Sequence, residues 1–303
     1  LLDDAWVVEN HATCGRGAGI YNADALDVHD VLFDGNVADC QSGAIANGAS
    51  GTATISDTTF TDNLADDGAG LGNEGTAIVR RSTFSGNDAF FARGGAINNS
   101  GALTLENSTL SGNHAEYRGG GLHSWSGSSS LTNVTITGNE ASKLRAGGFP
   151  PAQGDGGGIY VDGGTVSLRN TILSGNTRRI DGVASASNCG GVPVTSLGWR
   201  NLDSGSTCSF GSGDLSNTDP KLGPLQDNGA LTFTHALATG SPAIDAGDGA
   251  TCPATDQRGA GRPTDGNGDG SAACDVGAYE HPAVAPAPPP AGGGGGGGGG
   301  ALP

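Results

Sequence analysis

Apolar and polar residues recur along residues 1–176 with a period that no single helix or strand would produce. A short segment closing in Asn returns as VVEN, LFDGN, TFTDN, TFSGN, TLSGN, TITGN and ILSGN, ending at Asn10, Asn36, Asn63, Asn87, Asn113, Asn139 and Asn176. Successive intervals are 26, 27, 24, 26, 26 and 37 residues. Three residues before each Asn stands an apolar side chain: Val7, Phe33, Phe60, Phe84, Leu110, Ile136 and Leu173. Eight before it stand Val28, Ile55, Val79, Leu105, Leu131 and Leu168, and ten before it Leu26, Ala53, Ala77, Leu103 and Val166, with Ser129 the exception. Apolar residues two apart share one side of a strand. An Ala follows each Asn from Ala12 to Ala141, and a Gly-rich segment then leads into another short strand: GAGIYN, GAIAN, GAGLGN, GGAINN, GGGLHS and GGGIYV.

Each repeat therefore holds about three short strands separated by Gly, Asn and Asp corners. The Ser, Thr and Gly content opposes helix. One unit cannot bury its apolar face alone, whereas stacked units pair every strand with its copy about 4.8 Å away. The predicted fold is all-β, a right-handed parallel β-helix, with seven coils spanning roughly 30–35 Å. The corner Asn residues should stack as side-chain ladders. A leucine-rich repeat has a similar period, but its helical or extended return is missing here.

The rhythm sets the domain organisation. Residues 1–184 read as β-helix repeats, with the insertion SKLRAGGFPPAQGD accounting for the longest interval. Residues 185–281 read as an irregular last coil followed by a capping region, because an open terminal coil leaves unpaired backbone. Residues 282–303, PAVAPAPPPA and a polyglycine tract, read as a disordered spacer with an anchor expected beyond it. The start at Leu1 without a leader suggests that a targeting segment is missing.

Two family patterns match these stretches. The GGAI-type and FxxN-type segments of residues 1–176 resemble the repeats of polymorphic outer-membrane proteins. The stretch DPKLGPLQDNGALTFTHALATGSPAIDAG, with DQRGAGRP, DGNGDG and CDVGAYE after it, is similar to the choice-of-anchor Q domain. The resemblance implies a bacterial secreted or cell-surface protein with a variable anchoring tail, and no defined activity.

Composition narrows the partners. A net charge of -17 argues against nucleic acid or anionic membrane. No stretch is long and apolar enough to span a membrane. Six cysteines without a CxxC pair suit an oxidising compartment. Cys189–Cys208 and Cys252–Cys274 are expected as local bridges. Cys14 and Cys40 each lie four residues after a repeat Asn, so they should meet on adjacent coils, within disulfide reach.

Candidate chemistry is sparse. DGNGDG matches the first half of a calcium loop, with Asp265, Asn267 and Asp269 as alternating oxygen ligands. Val276 stands where the bidentate Glu belongs, so Asp275 or Glu280 would have to substitute in a structural calcium site. The loops between each Ala and the next Gly pair carry Phe90, Phe91 and Arg93, then Tyr117 and Arg118, then Lys143, Arg145 and Phe149. Consecutive coils should bring these together as an aromatic and basic stripe for a glycan or a surface protein. Asp3-Asp4 and Asp66-Asp67 are the acidic doublets that glycoside hydrolysis would draw on. No polygalacturonase-like Gly-His-Gly, GxSxG or HExxH segment is present, and Lys143 and Lys221 are the only lysines. The leading expectation is a non-enzymatic role in adhesion, cell-envelope architecture or glycan binding. A polysaccharide lyase or glycoside hydrolase is the alternative.

Overall fold

A computed structural model describes residues 1–143, 155–198 and 200–284. Among them there is no α-helix, and three sheets run along one solenoid, parallel except where Thr177–Ile180 pairs antiparallel with Val183–Ala186 at the end of the third. Each coil contributes a short strand after its Gly pair, such as Ile45–Asn47, Leu71–Asn73 or Ile97–Asn99, to a seven-stranded sheet. It then contributes a five-residue strand (Thr52–Ser56, Thr76–Arg80, Ala102–Glu106) and a three-residue strand (Thr59–Thr61, Thr83–Ser85, Thr109–Ser111) to a fifteen-stranded sheet. These two stacks join through Ala25–Asp34, which runs unbroken where later coils turn a corner. Two-residue strands such as Leu64–Ala65 and Asp88–Ala89 form most of the third, eight-stranded sheet.

The register follows the repeat. Phe33, Phe60, Phe84, Leu110, Ile136 and Leu173 pair in sequence, one per coil. All are fully buried, and the three Phe rings stack at 5.0 and 4.3 Å between centroids. The corner before each ladder Asn needs a left-handed backbone, with φ of +62° at Gly35, +66° at Gly86 and +65° at Gly112. Gly meets that demand without steric cost.

Two Asn ladders run through the interior. In the first, each side-chain amide donates to the carbonyl oxygen of the next coil's Asn at 2.8–2.9 Å, from Asn10 through Asn176 to Asn188. The second, Asn22, Asn47, Asn73 and Asn99, was not apparent from the repeat count; its links are 2.7 Å. It ends where Ser124 replaces the next Asn, and Asn99 donates instead to Ser129 Oγ at 3.0 Å. That bond explains the polar residue at an otherwise apolar inward position.

Residues 185–216 continue the stacks, with Ile172, Leu202 and Leu215 in register. The expected cap is more than a lid over the last coil. Residues 219–284 fold back along the flank of the fifteen-stranded sheet and bind four coils. Thr83, Thr109 and Thr135 form one outward row. Thr83 Oγ1 donates to Phe233 O, Thr109 Oγ1 to Gln257 Oε1, and Thr135 Oγ1 accepts from Ala278 N. Corner residues Asn107, Asn133 and Asn170 donate to Thr255 O, Asp275 O and Asp248 O. A hairpin, Leu222–Gln226 with Thr234–Leu237, and a small core of Ile172, Leu237, Ala243, Ile244, Val276 and Tyr279 complete this contact. All three expected disulfides are formed, with Cys14 and Cys40 stacked at a Cα separation of 4.7 Å. The spacer residues 285–303 lie outside the described residues.

Candidate functional site on the seven-stranded sheet

In the three-residue strands of this sheet the first and third side chains face the core, so the middle one faces out. The outward row is Tyr21, Ala46, Gly72, Asn98, His123 and Tyr160, in register from coil to coil. Loops preceding the strands and corners following them form its two sides.

Part of the expected stripe gathers here. Arg93 and Arg118 pair side by side on neighbouring coils, and Arg118 pairs in turn with Asp155. The Arg93 guanidinium lies 4.6 Å from the centre of the Trp125 ring, and that of Arg118 lies 4.6 Å from the Tyr160 ring. Arg118 Nη1 also donates to Asp162 Oδ1 at 2.7 Å. Phe90 and Phe91 contact one another at 4.4 Å, with Phe91 exposed, and Tyr117 is half-buried beside Arg118. The Lys143 backbone pairs with Ile180, whereas Arg145 and Phe149 lie outside the described residues.

His123, Trp125, Tyr160 and Asp162 were missed by reading loops alone. They sit on or just after the GGGLHS and GGGIYV strands, and strand alternation would have placed His123 and Tyr160 on the outer face. His123 is fully buried on that face, its ring centre 6.1 Å from Trp125 and 6.2 Å from Tyr160. Burial lowers its pKa to about 4, against the opposing pull of Asp162. Its Nε2 lies 2.8 Å from Asp162 Oδ2 and its Nδ1 2.8 Å from Asn98 Oδ1, so each ring nitrogen has an oxygen partner. Burial pushes the Asp162 carboxyl up, but the hydrogen bond from His123 and the charge of Arg118 outweigh it and hold it below its ordinary value.

Along the same row lies a shallow groove lined by Arg16, Tyr21, Asp67, Gly72, Glu74 and Asn98 among others. Arg16 reaches towards Tyr21, 5.9 Å from its ring centre, and towards Glu74 at 3.7 Å. Asp67 and Glu74 stand before and after the strand Leu71–Asn73. Burial raises the Asp67 pKa despite Arg93, whose backbone N–H donates to it. Asp66 is also raised, by burial and then by Asp67.

The acidic doublets do not converge. Asp3-Asp4 belong to the strand Leu2–Val8 of the fifteen-stranded sheet, where Asp3 bonds His29 at 2.7 Å. Asp66-Asp67 lie in a loop beside the seven-stranded sheet.

A match to the family model described as a right handed beta helix region covers residues 16–196. The chain belongs to the right-handed β-helix family. No curated protein and no solved structure matches it. The matched span of the β-helix includes the outward row and both of its sides.

The DGNGDG loop lies elsewhere, in the flanking region. Asp265 accepts backbone N–H groups from Gly268, Asp269 and Gly270, and Asn267 and Asp269 each accept one more. Asp245, not Asp275, reaches the loop, accepting from Gly266 and Asn267. Asp275 is buried and accepts from the N–H groups of Asp245 and His281. Glu280 is buried as well, bonded to Thr264 and 3.4 Å from Arg262. Among the described residues no group of three or more His, Cys, Asp or Glu side chains is gathered to hold a metal ion. The loop oxygens alternate as a calcium loop requires, and a carboxylate offers about four acceptor positions, so backbone bonding leaves some lone pairs for an ion.

Proposed function

We propose that this β-helix is a secreted or cell-surface protein that binds glycan through the outer face of its seven-stranded sheet, without chemistry of its own. The observation that carries the reading is the layered array of Arg93 on Trp125 and Arg118 on Tyr160, held by His123 and Asp162. Stacked rings offer flat apolar faces to sugars, and the charged side chains around them offer donors and acceptors to hydroxyls. Three disulfides and the resemblance to polymorphic outer-membrane repeats and the choice-of-anchor Q domain support an extracellular or bacterial surface setting. A structural calcium at Asp265, Asn267 and Asp269 belongs to the same proposal. The test is retention of the purified chain on immobilised polysaccharides. The joint variant Arg93→Ala/Trp125→Ala should lower retention about tenfold or more with its melting temperature preserved. Equal retention of the variant rejects the site.

One observation favours the alternative, a glycoside hydrolase. Asp67 has a raised pKa, Glu74 lines the same groove, and two carboxyls of unlike environment are what acid and base roles require. Release of reducing ends by the native chain, abolished in Asp67→Asn, would establish it and displace the non-enzymatic reading.

A further inference from the structure

The outward row has a longer pattern than the Arg93–Arg118 cluster. Both tyrosines of the row, and Trp125 at the corner beside it, are accompanied by a guanidinium. Arg16 goes with Tyr21 at one end, and Arg93 and Arg118 with Trp125 and Tyr160 at the other. Tyr21 and Trp125 are each 49% exposed, so both keep a face for a ligand. Between them the floor is Ala46, Gly72 and Asn98, too small to obstruct a chain lying across it. A Cβ at Gly72 would meet the Ser42 hydroxyl, which would have to turn aside.

Charge decides the class of ligand. Arg16 is matched by Glu74, Arg118 by Asp162 and Arg178 by Asp155. Arg93 makes no salt bridge among the described residues, but the Asp67 carboxylate sits at its backbone N–H. No excess of positive charge faces the groove, and the whole chain carries -17. An anionic polymer would be repelled overall and locally unrewarded. Backbone pairing argues against a peptide strand, since this is a sheet face whose N–H and C=O groups are already taken by neighbouring coils.

We infer that the site takes a neutral linear glycan laid parallel to the solenoid axis, gripped by two aromatic platforms, Tyr21 at one end and Trp125 with Tyr160 at the other. This rests on the glycan-binding reading above. From Tyr21 to Tyr160 the register makes five steps. At about 4.8 Å per step the platforms stand about 24 Å apart. An extended chain of pyranose sugars advances by nearly the same distance per unit as the solenoid does per coil, so about five sugars bridge the platforms.

The test is calorimetric titration of the full chain with cello-, xylo- and manno-oligosaccharides of two to six sugars, with oligogalacturonate as the acidic comparator. Affinity should rise with length to about five sugars and then level off. Tyr21→Ala should lower affinity for the hexamer about tenfold and leave the trimer unchanged, whereas Trp125→Ala should weaken both. Both side chains are exposed, and an unchanged melting temperature confirms that each variant is folded. Length-independent binding, or a hexamer indifferent to Tyr21→Ala, overturns the two-platform geometry and leaves glycan binding standing. Tighter binding of oligogalacturonate overturns the neutral class. Binding of no oligosaccharide at all overturns this inference together with the reading beneath it.

Discussion

At the scale of single residues the repeat is a set of backbone demands. The corner ahead of each ladder Asn lies at positive φ, and four coils in the middle of the solenoid answer with Gly86, Gly112, Gly138 and Gly175. Asp62 takes the same place at +52°, which an L-residue adopts only with strain. Nothing lies within 4 Å of the Cβ that Gly112 lacks, so Gly112→Ala isolates the backbone cost from any clash. It should destabilise the chain by about 1 kcal/mol, and Asp62→Gly should be neutral or mildly stabilising. Chemical denaturation of both variants measures this; a neutral Gly112→Ala would mean the corner relaxes at no cost. His123 sets a pH dependence at the same scale. Its folded pKa is depressed to about 4, below the unfolded value near 6.5. Its contribution to stability is therefore fully present above about pH 6.5 and lost as pH falls towards 4. The melting-temperature gap between native protein and His123→Gln should narrow over that window. A gap that widens on acidification would contradict a neutral, buried imidazole.

At the scale of elements, strands of two to five residues are too short to stand alone and are held by what stacks between them. Asn113 shows how. Its carbonyl oxygen accepts from Asn87 N and Nδ2, while its own amide donates to Asn139 Oδ1 and Phe84 O. It is almost wholly buried, so removing it orphans several groups that water cannot reach. Asn113→Ala should cost about 3 kcal/mol or more, since each unsatisfied buried group costs about 1–3 kcal/mol. Because Asn87 loses its partner in that variant, adding Asn87→Ala should cost less than it does alone. A double-mutant cycle reads this coupling, and strict additivity would show that the ladder residues act independently. The Phe33–Phe60–Phe84 stack inside and the Asn ladders at the corners thus select one register between them, apolar contact favouring collapse and amide pairing favouring alignment.

At the scale of the whole molecule, the flank 219–284 ties together coils that otherwise touch only their neighbours. Gln257 is the central pin: its amide donates to Thr83 Oγ1 and Thr232 Oγ1, and its carbonyl oxygen accepts from Thr109 Oγ1. Gln257→Ala should loosen the flank before the solenoid, so limited proteolysis should cut between 219 and 284 while residues 1–143 resist. Simultaneous loss of both parts would show that flank and solenoid unfold as one unit. In the same region, calcium bound by Asp265, Asn267 and Asp269 should raise the melting temperature, and exhaustive chelation should lower it. A melt indifferent to both rejects the ion.

The sequence by itself determined the solenoid. A strand period repeated every 24 to 27 residues, with Gly and Asn at the same corners, admits one economical way of burying its apolar positions. The Cys14–Cys40 bridge was legible for the same reason, because the two cysteines hold the same place in successive repeats, whereas Cys189–Cys208 and Cys252–Cys274 were legible as near neighbours along the chain. The second Asn ladder could have been read from IYN, IAN, LGN and INN, but its Asn residues fall in strands that also carry variable outward positions. Only the tertiary structure decided the site. Arg93 meets Trp125 and Arg118 meets Tyr160 because a loop from one coil and a strand or corner from the next arrive on the same side of the sheet. No spacing along the chain encodes that meeting. The same holds for residues 219–284, whose irregular texture announced a change of structure without its direction. Their place on the flank follows from a row of outward Thr hydroxyls and corner Asn amides that needed partners, and such a need becomes visible only once the coils are stacked.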